Sequence, residues 1–253
     1  MRIFIVTSDV TGWMLRACLW LLDRHWPQHP PVVVGGYTRP QLPPHVQFVP
    51  IGEFSNYPAN RWSNGVLQFL EMMPDDVFLW TMDDFWLCQD VDGPAVQRLY
   101  HHLLESDHLA RIDLTADRLN SGHARPAGYL DYVSKTEGGV KFVNQVDLVL
   151  TPPETPYQLS FQTGLWRRRA LIQYMTPGET PAEAEIRGAD RMSRAGANVL
   201  GTRQAPFKYL IAMQHGKLHL DDSGYQVPPV ALLPDDKAEL ARLGYLAPER
   251  LPV

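Results

Sequence analysis

Cysteine is almost missing from this chain: Cys18 and Cys88 stand alone, with no Cys-x-x-Cys or mixed His/Cys spacing. That argues against a disulfide framework or a structural zinc module and fits a reducing, cytoplasmic setting. Long apolar runs are also missing. The amino-terminal run Ile3–Val6 is too short for the hydrophobic region of a signal peptide. No stretch approaches the roughly eighteen apolar residues of a membrane span, so a soluble protein is expected. An excess of positive charge is lacking as well. The net charge of −5 and pI near 6.0 speak against nucleic-acid binding by bulk electrostatics. A glycine-rich phosphate loop with an early Lys or Arg is not found either, since Thr7–Trp13 reads TSDVTGW. No internal repeat or low-complexity tract is present.

What remains is a chain of 253 residues, 45% hydrophobic and 20% charged, enough to build one large α/β domain. Ile3–Val6, Val32–Val34 and Val46–Val49 read as short buried strands, and Val77–Met82 as a central strand covered on both faces. Between them, 12–24, 63–73 and 94–107 carry helical spacing, with Ser63 as an expected N-cap, Asp92 or Gly93 at the start of the third and Pro94 in its first turn. This alternation predicts a mostly parallel, Rossmann-type sheet with flanking helices and right-handed crossovers. After Leu114 the pattern weakens, and 117–157 is expected to be loop-rich and partly antiparallel. A helix is expected near 167–175, and Thr180-Pro181-Ala182-Glu183 has the form of a capping box opening another. The Pro-rich segment 221–253 reads as a tail with one short helix near 236–244.

In open α/β sheets, ligands bind beyond the carboxyl ends of the strands. That rule selects Thr7-Ser8-Asp9, Gly35-Gly36-Tyr37 and Asp83-Asp84. The last is the strongest signal, because two adjacent carboxylates in apolar surroundings repel unless a cation or hydrogen bonds compensate them. Oxygen ligands suit Mg²⁺ or Mn²⁺, with a diphosphate completing the shell. On a straight strand adjacent side chains point to opposite faces, so either the backbone kinks or one carboxylate alone meets the ion. Asp90-Val91-Asp92 is a rival with alternate spacing, although Asp92 is better explained as an N-cap.

The order of strand–TSD, then Arg61-Trp62-Ser63 opening a helix, then VFLWTMDDFWL resembles the nucleotide-binding half of GT-A glycosyltransferases. A later Ser160–Trp166 segment (SFQTGLW) and Pro181–Glu185 (PAEAE) extend the resemblance to small bacterial and phage glycosyltransferase-like proteins. It spans roughly 1–217. It implies one GT-A-like domain over 1–220, with a nucleotide half at about 1–115 and an acceptor half at about 116–220. It further implies transfer of a sugar from a nucleotide-sugar donor, such as a UDP-sugar, to an acceptor hydroxyl with help from Mn²⁺ or Mg²⁺.

Carried over residue by residue, the resemblance sets Thr7, Ser8 and Asp9 near the nucleoside and Arg61 and Trp62 near the ribose or diphosphate. Asp83 and Asp84 would occupy the acidic motif, Asp84 at the metal and Asp83 toward the donor sugar or ribose as a further metal and catalytic candidate, and Gln162 and Trp166 would line the sugar or acceptor side. Glu185, with Glu183 in reserve, would be the base on the acceptor, and His215 a late metal ligand. Each has a plainer reading: Ser8 and Asp9 as caps, Trp62 as a staple, Gln162 and Trp166 as strand residues. Glu183 and Glu185 also suit the first turn of any helix. The acceptor is left open between a surface polysaccharide, a small metabolite and, in a phage setting, a hydroxymethylated base in DNA; the last would need a basic cluster such as Arg167–Arg169 with Arg187, Arg191 and Arg194. A nucleotidyltransferase and a catalytically silent binding module are the alternatives.

Overall fold

The computed structural model describes residues 1–57, 59–137, 140–221 and 230–247. In chain order the elements are β1 (Ile3–Val6), α1 (Leu15–His25), β2 (Val32–Gly36), β3 (Gln47–Pro50), α2 (Trp62–Met72), β4 (Val77–Met82) and β5 (Phe85–Leu87). There follow α3 (Gly93–Glu105), β6 (Leu109–Asp113), α4 (Asp117–Asn120), β7 (Arg125–Glu137), β8 (Val140–Leu150), β9 (Gly164–Arg167) and α5 (Arg168–Tyr174). The chain continues through α6 (Pro181–Arg194), β10 (Asn198–Thr202), β11 (Tyr209–Ile211), β12 (Met213–Gln214), β13 (Lys217–Leu218) and α7 (Pro234–Arg242).

Nine strands form one twisted sheet in the order β3-β2-β1-β4-β9-β6-β10-β8-β7. Strands β1–β4, β6, β7 and β10 run one way, and β8 and β9 oppose them. The sheet is thus mixed but mostly parallel, with helices on both faces. Strand β4 shows why its sequence is apolar throughout. Phe78 and Trp80 enter the core beneath α2, α5 and α6, while Val77 and Leu79 enter the one beneath α1 and α3. A strand covered on both faces has no side left for polar residues.

Local signals are realised where the chemistry is local. Asp92 caps α3, its Oδ1 accepting from Ala95 N–H at 3.0 Å, and Thr180 and Glu183 close a reciprocal capping box on α6. Ser63 is different from expectation. It lies inside α2, where its Oγ donates to the Thr176 carbonyl and accepts from Glu179 N–H, tying α2 to the loop before α6. The loop-rich insertion expected over 117–157 is largely the long hairpin of β7 and β8, which extends the sheet.

Part of the expected tail is packed into the fold: Val230, Leu232 and Leu240 join the core beneath α1. Residues 222–229 and 248–253 lie outside the described residues. Asp236, fully buried on α7, pairs with Arg24 and with His25 Nε2 at 2.8 Å, and the other His25 nitrogen meets Asp90 at 2.9 Å. Removing His25 leaves the buried Asp236 carboxylate with Arg24 alone and one oxygen without its partner, a costly change for a buried charge. His25→Ala is therefore expected to lower unfolding free energy by about 3 kcal/mol, as read by denaturant titration. Among the described residues no helix is long and apolar enough to cross a membrane.

Candidate functional site

The parallel register of β1 and β4 pairs Val6 with Met82, which brings the next residues, Thr7 and Asp83, side by side at the carboxyl edge. Thr7 Oγ1 donates to Asp83 Oδ2 at 2.6 Å. The chain then turns at Asp83-Asp84 and returns as β5, which pairs with β11. Ala212 N–H donates to the Asp84 carbonyl at 2.7 Å and Trp86 Nε1 to the Asp83 carbonyl at 3.2 Å, so the turn is pinned from two sides. The backbone kinks at the acidic pair, and both carboxylates sit on that one turn.

Their environments differ. Asp83 is buried and held by Thr7, whereas Asp84 is half-buried. The Asp84 carboxylate accepts a hydrogen bond from its own backbone amide, with no side-chain hydrogen bond among the described residues. Burial raises both carboxyls above the usual range; Asp83 adds to the effect on Asp84, while the Thr7 hydroxyl opposes it on Asp83. Two apposed carboxylates, one without a hydrogen-bonding side chain, are a donor set that fits a hard divalent cation. The glycine at 36 permits this arrangement. A Cβ there would stand 2.8 Å from Thr7 Cγ2 and 3.1 Å from the Phe48 ring. Gly36→Ala should therefore displace Thr7 from Asp83 and cost about 1–3 kcal/mol by overpacking, measurable as a lower denaturation midpoint.

A second compartment opens at the end of β6, on the same edge. Its volume is about 540 Å³, and Asp117, Arg118, Asn120, Tyr157, Gln162 and Glu185 are among its walls. The turn after β6 is built by Asp113, whose Oδ1 accepts from both Thr115 N–H and Thr115 Oγ1. Arg111, fully buried, donates to Asp113 Oδ2 at 2.7 Å and to the Gln162 carbonyl at 3.2 Å, with its guanidinium over the Trp166 ring. Glu185 Oε1 accepts from Phe161 N–H at 2.7 Å. Burial raises the Glu185 carboxyl, against the opposing pull of Phe161 N–H, Ser160 and Arg111. Asp117 is raised too, by burial first and then by Asp113.

The acidic turn and this cavity lie on one sheet edge. One strand, β9, separates β4 from β6, which puts their ends about 10 Å apart at two interstrand spacings. Tyr209 bridges this gap. Its ring stacks on Phe85 with centroids 4.5 Å apart, and its hydroxyl donates to Gln162 Oε1. Thr81 and Thr163 hydroxyls meet at 2.9 Å beneath it.

The expected residues divide accordingly. Thr7, Asp83, Asp84, Gln162 and Glu185 are brought to this edge. Ser8 and Asp9 form its rim, where Ser8 Oγ pairs with Thr11 Oγ1 and the Asp9 carboxylate accepts from Thr38 N–H and Oγ1. Arg61 is exposed just before α2, and Trp62 packs edge-on against Phe161 at 4.7 Å. Trp166 is fully buried in β9, with the Arg111 guanidinium over its ring.

Glu183 is engaged by the Thr180 cap and by Arg187, which leaves Glu185 as the carboxylate of α6 that faces the cavity. His215 stands exposed with φ of 49° in the turn between β12 and β13. It joins no set of three ligand atoms among the described residues. The basic cluster is not a free face either. Arg167 and Arg168 donate to backbone carbonyls, and Arg169, Arg187, Arg191 and Arg194 pair with Asp107, Glu183, Glu179 and Asp190.

Asp113, Asp117, Arg118 and Tyr157 were not singled out from the sequence. Asp113 ends β6, Asp117 and Arg118 lie in the single turn of α4 and Tyr157 in a loop, where no periodicity marks them; the polar DRLN run three residues after β6 is a signal that could have found Asp117 and Arg118.

Searches of the chain find no matching protein-family model and no matching curated protein. Among solved structures it is similar to a UTP-bound UGPase from Acinetobacter baumannii, at 10% identity and TM-score 0.45, over 83% of this chain and 87% of that one. It is also similar to an active-site mutant of LgtC, at 12% identity and TM-score 0.37, over 68% of this chain and 59% of that one. A third similarity is to a CMP:2-keto-3-deoxy-manno-octonic acid synthetase complexed with CTP, at 9% identity and TM-score 0.39, over 79% and 87%. Likenesses this distant carry no argument about activity.

Proposed function

We propose that this chain transfers a sugar from a nucleotide-sugar donor to an acceptor hydroxyl. The observation that carries the reading is the pair of compartments on one sheet edge: an acidic turn that fits a cation, and about 10 Å away a polar cavity with a buried-side carboxylate. A sugar diphosphate spans such a gap. Ser8, Asp9 and Tyr37, at the ends of β1 and β2, are assigned to the nucleoside, and Asp83 and Asp84 to the diphosphate end. A Mn²⁺ or Mg²⁺ ion held by Asp84, with Asp83 beside it, would supply charge neutralisation for the departing diphosphate.

The chain's own groups do the rest. Tyr209 fixes the Gln162 amide, and Gln162 with Asp117 holds sugar hydroxyls. Glu185 takes the acceptor proton as the new bond forms from the acceptor oxygen to the anomeric carbon and the bond to the diphosphate oxygen breaks. Asn120, Ser121 and the half-exposed ring of Tyr157 give the cavity the mix of hydrogen-bonding groups and an apolar face that a carbohydrate acceptor needs. Nucleotidyl transfer uses a similar acidic pair, and the products tell the two apart. Incubation with UDP-sugars, other nucleotide sugars and Mn²⁺ should release a nucleoside diphosphate and a glycosylated sugar acceptor. Release of pyrophosphate from a nucleoside triphosphate and a sugar phosphate would replace this reading with nucleotidyl transfer. Donor binding with neither product would leave a binding module.

A further inference from the structure

We propose that Asp23, His29 and His45 form a binding site for a divalent transition metal of the zinc class, at the edge of the sheet opposite the acidic turn. One ligand atom from each lies within 4.8 Å of the others. Asp23 Oδ1 is 2.8 Å from His29 Nε2 and 3.7 Å from His45 Nε2. A tetrahedral cation with bonds near 2.1 Å holds its ligands about 3.4 Å apart, so the observed separations bracket that value.

Two further features point to a cation. His29 Nδ1 lies 2.7 Å from the Pro30 carbonyl, which accepts and cannot donate, so Nδ1 carries a proton. In the neutral ring Nε2 then presents its lone pair toward a carboxylate oxygen, a contact that is relieved by a bound cation or by a second proton on the ring. An imidazole donating its far N–H to a backbone carbonyl is the pattern that orients metal-bound histidines. In addition, Asp23 sits in the last turn of α1, where the helix dipole disfavours an acid and favours positive charge.

Two imidazoles and one carboxylate suit Zn²⁺ or Co²⁺, whereas the oxygen-only pair at Asp83–Asp84 suits Mg²⁺ or Mn²⁺. The two metals therefore sort between the two ends of the sheet. His29 precedes β2 and His45 precedes β3, the strand at one edge of the sheet, so bound metal would staple that edge to the end of α1. This inference is independent of the transfer chemistry.

The test is titration of the full chain with Zn²⁺ alone, and with Co²⁺ followed by visible absorption. It is run on the natural chain, on Asp84→Asn, and on His45→Ala, whose histidine is half-exposed and whose loss spares the core. One tight Zn²⁺ equivalent is expected in the natural chain and in Asp84→Asn. A Co²⁺ spectrum of low coordination number should accompany it, with a Tm rise of about 5–10 °C at a hundredfold excess over Kd. His45→Ala should weaken binding at least tenfold and lose the spectrum. Equal Zn²⁺ affinity in His45→Ala, or no stoichiometric binding in the natural chain, would show a protonated His29 paired with Asp23 and nothing more, and would overturn the proposal.

Discussion

Asp84→Asn is expected to remove the response to Mn²⁺ and to slow sugar transfer roughly a thousandfold. The same change should make the metal-free protein more stable above neutral pH. The sign follows from the raised carboxyl. Burial, then Asp83, lifts its folded value above that of the unfolded chain. The folded state therefore holds the proton more tightly, and stability is full below the unfolded value near 4 and falls as pH rises through the raised folded one. Asparagine has no proton to lose. The variant's advantage should grow across that window to the order of 1 kcal/mol or more. Mn²⁺ competes with the same proton, so its affinity for the natural chain should climb with pH. Thermal unfolding with and without Mn²⁺ at pH 5 and pH 9 reads both effects.

Glu185→Gln is expected to lower kcat for transfer by about 10²–10⁴ while donor binding stays within a few-fold. Glutamine keeps an Oε1 that accepts from Phe161 N–H, so the loop before β9 stays in place. What it loses is basicity. As the proposed base, Glu185 must be ionised to accept a proton, and burial raises its carboxyl, so kcat should rise with pH through a value above the ordinary carboxylate range. That limb should vanish from the variant's profile. A variant that retained both rate and pH limb would move the base elsewhere, to Asp117 first.

Much of this site can be read in the chain because its first half is locally encoded. Ile3–Val6 and Val77–Met82 end where the apolar runs end, so the residues that follow, Thr7 and Asp83-Asp84, are marked by position alone as lying at the carboxyl edge of the sheet. Asp92 and Thr180 are read correctly because a cap acts within three residues of itself. The remainder depends on contacts distant in sequence. The four residues of β9 enter antiparallel between β4 and β6, and nothing in GLWR states that. Trp166 belongs to that wedge, which is why it is buried in the core. Ser63 has the residue type of a cap, but it is drawn to carbonyl and amide groups more than a hundred residues away. Arg111 and Asp113 look like surface charges in sequence and are fully buried as a pair.

The central claim is that the turn at Asp83-Asp84 binds a nucleotide-sugar diphosphate together with a divalent cation. Calorimetric titration with a panel of UDP- and other nucleotide sugars, with and without Mn²⁺, tests it most directly. At least one donor should bind with one-to-one stoichiometry, more tightly with Mn²⁺, and the Mn²⁺ gain should disappear in Asp84→Asn. Failure of every donor to bind, or binding that neither Mn²⁺ nor the Asp84→Asn change affects, would contradict it.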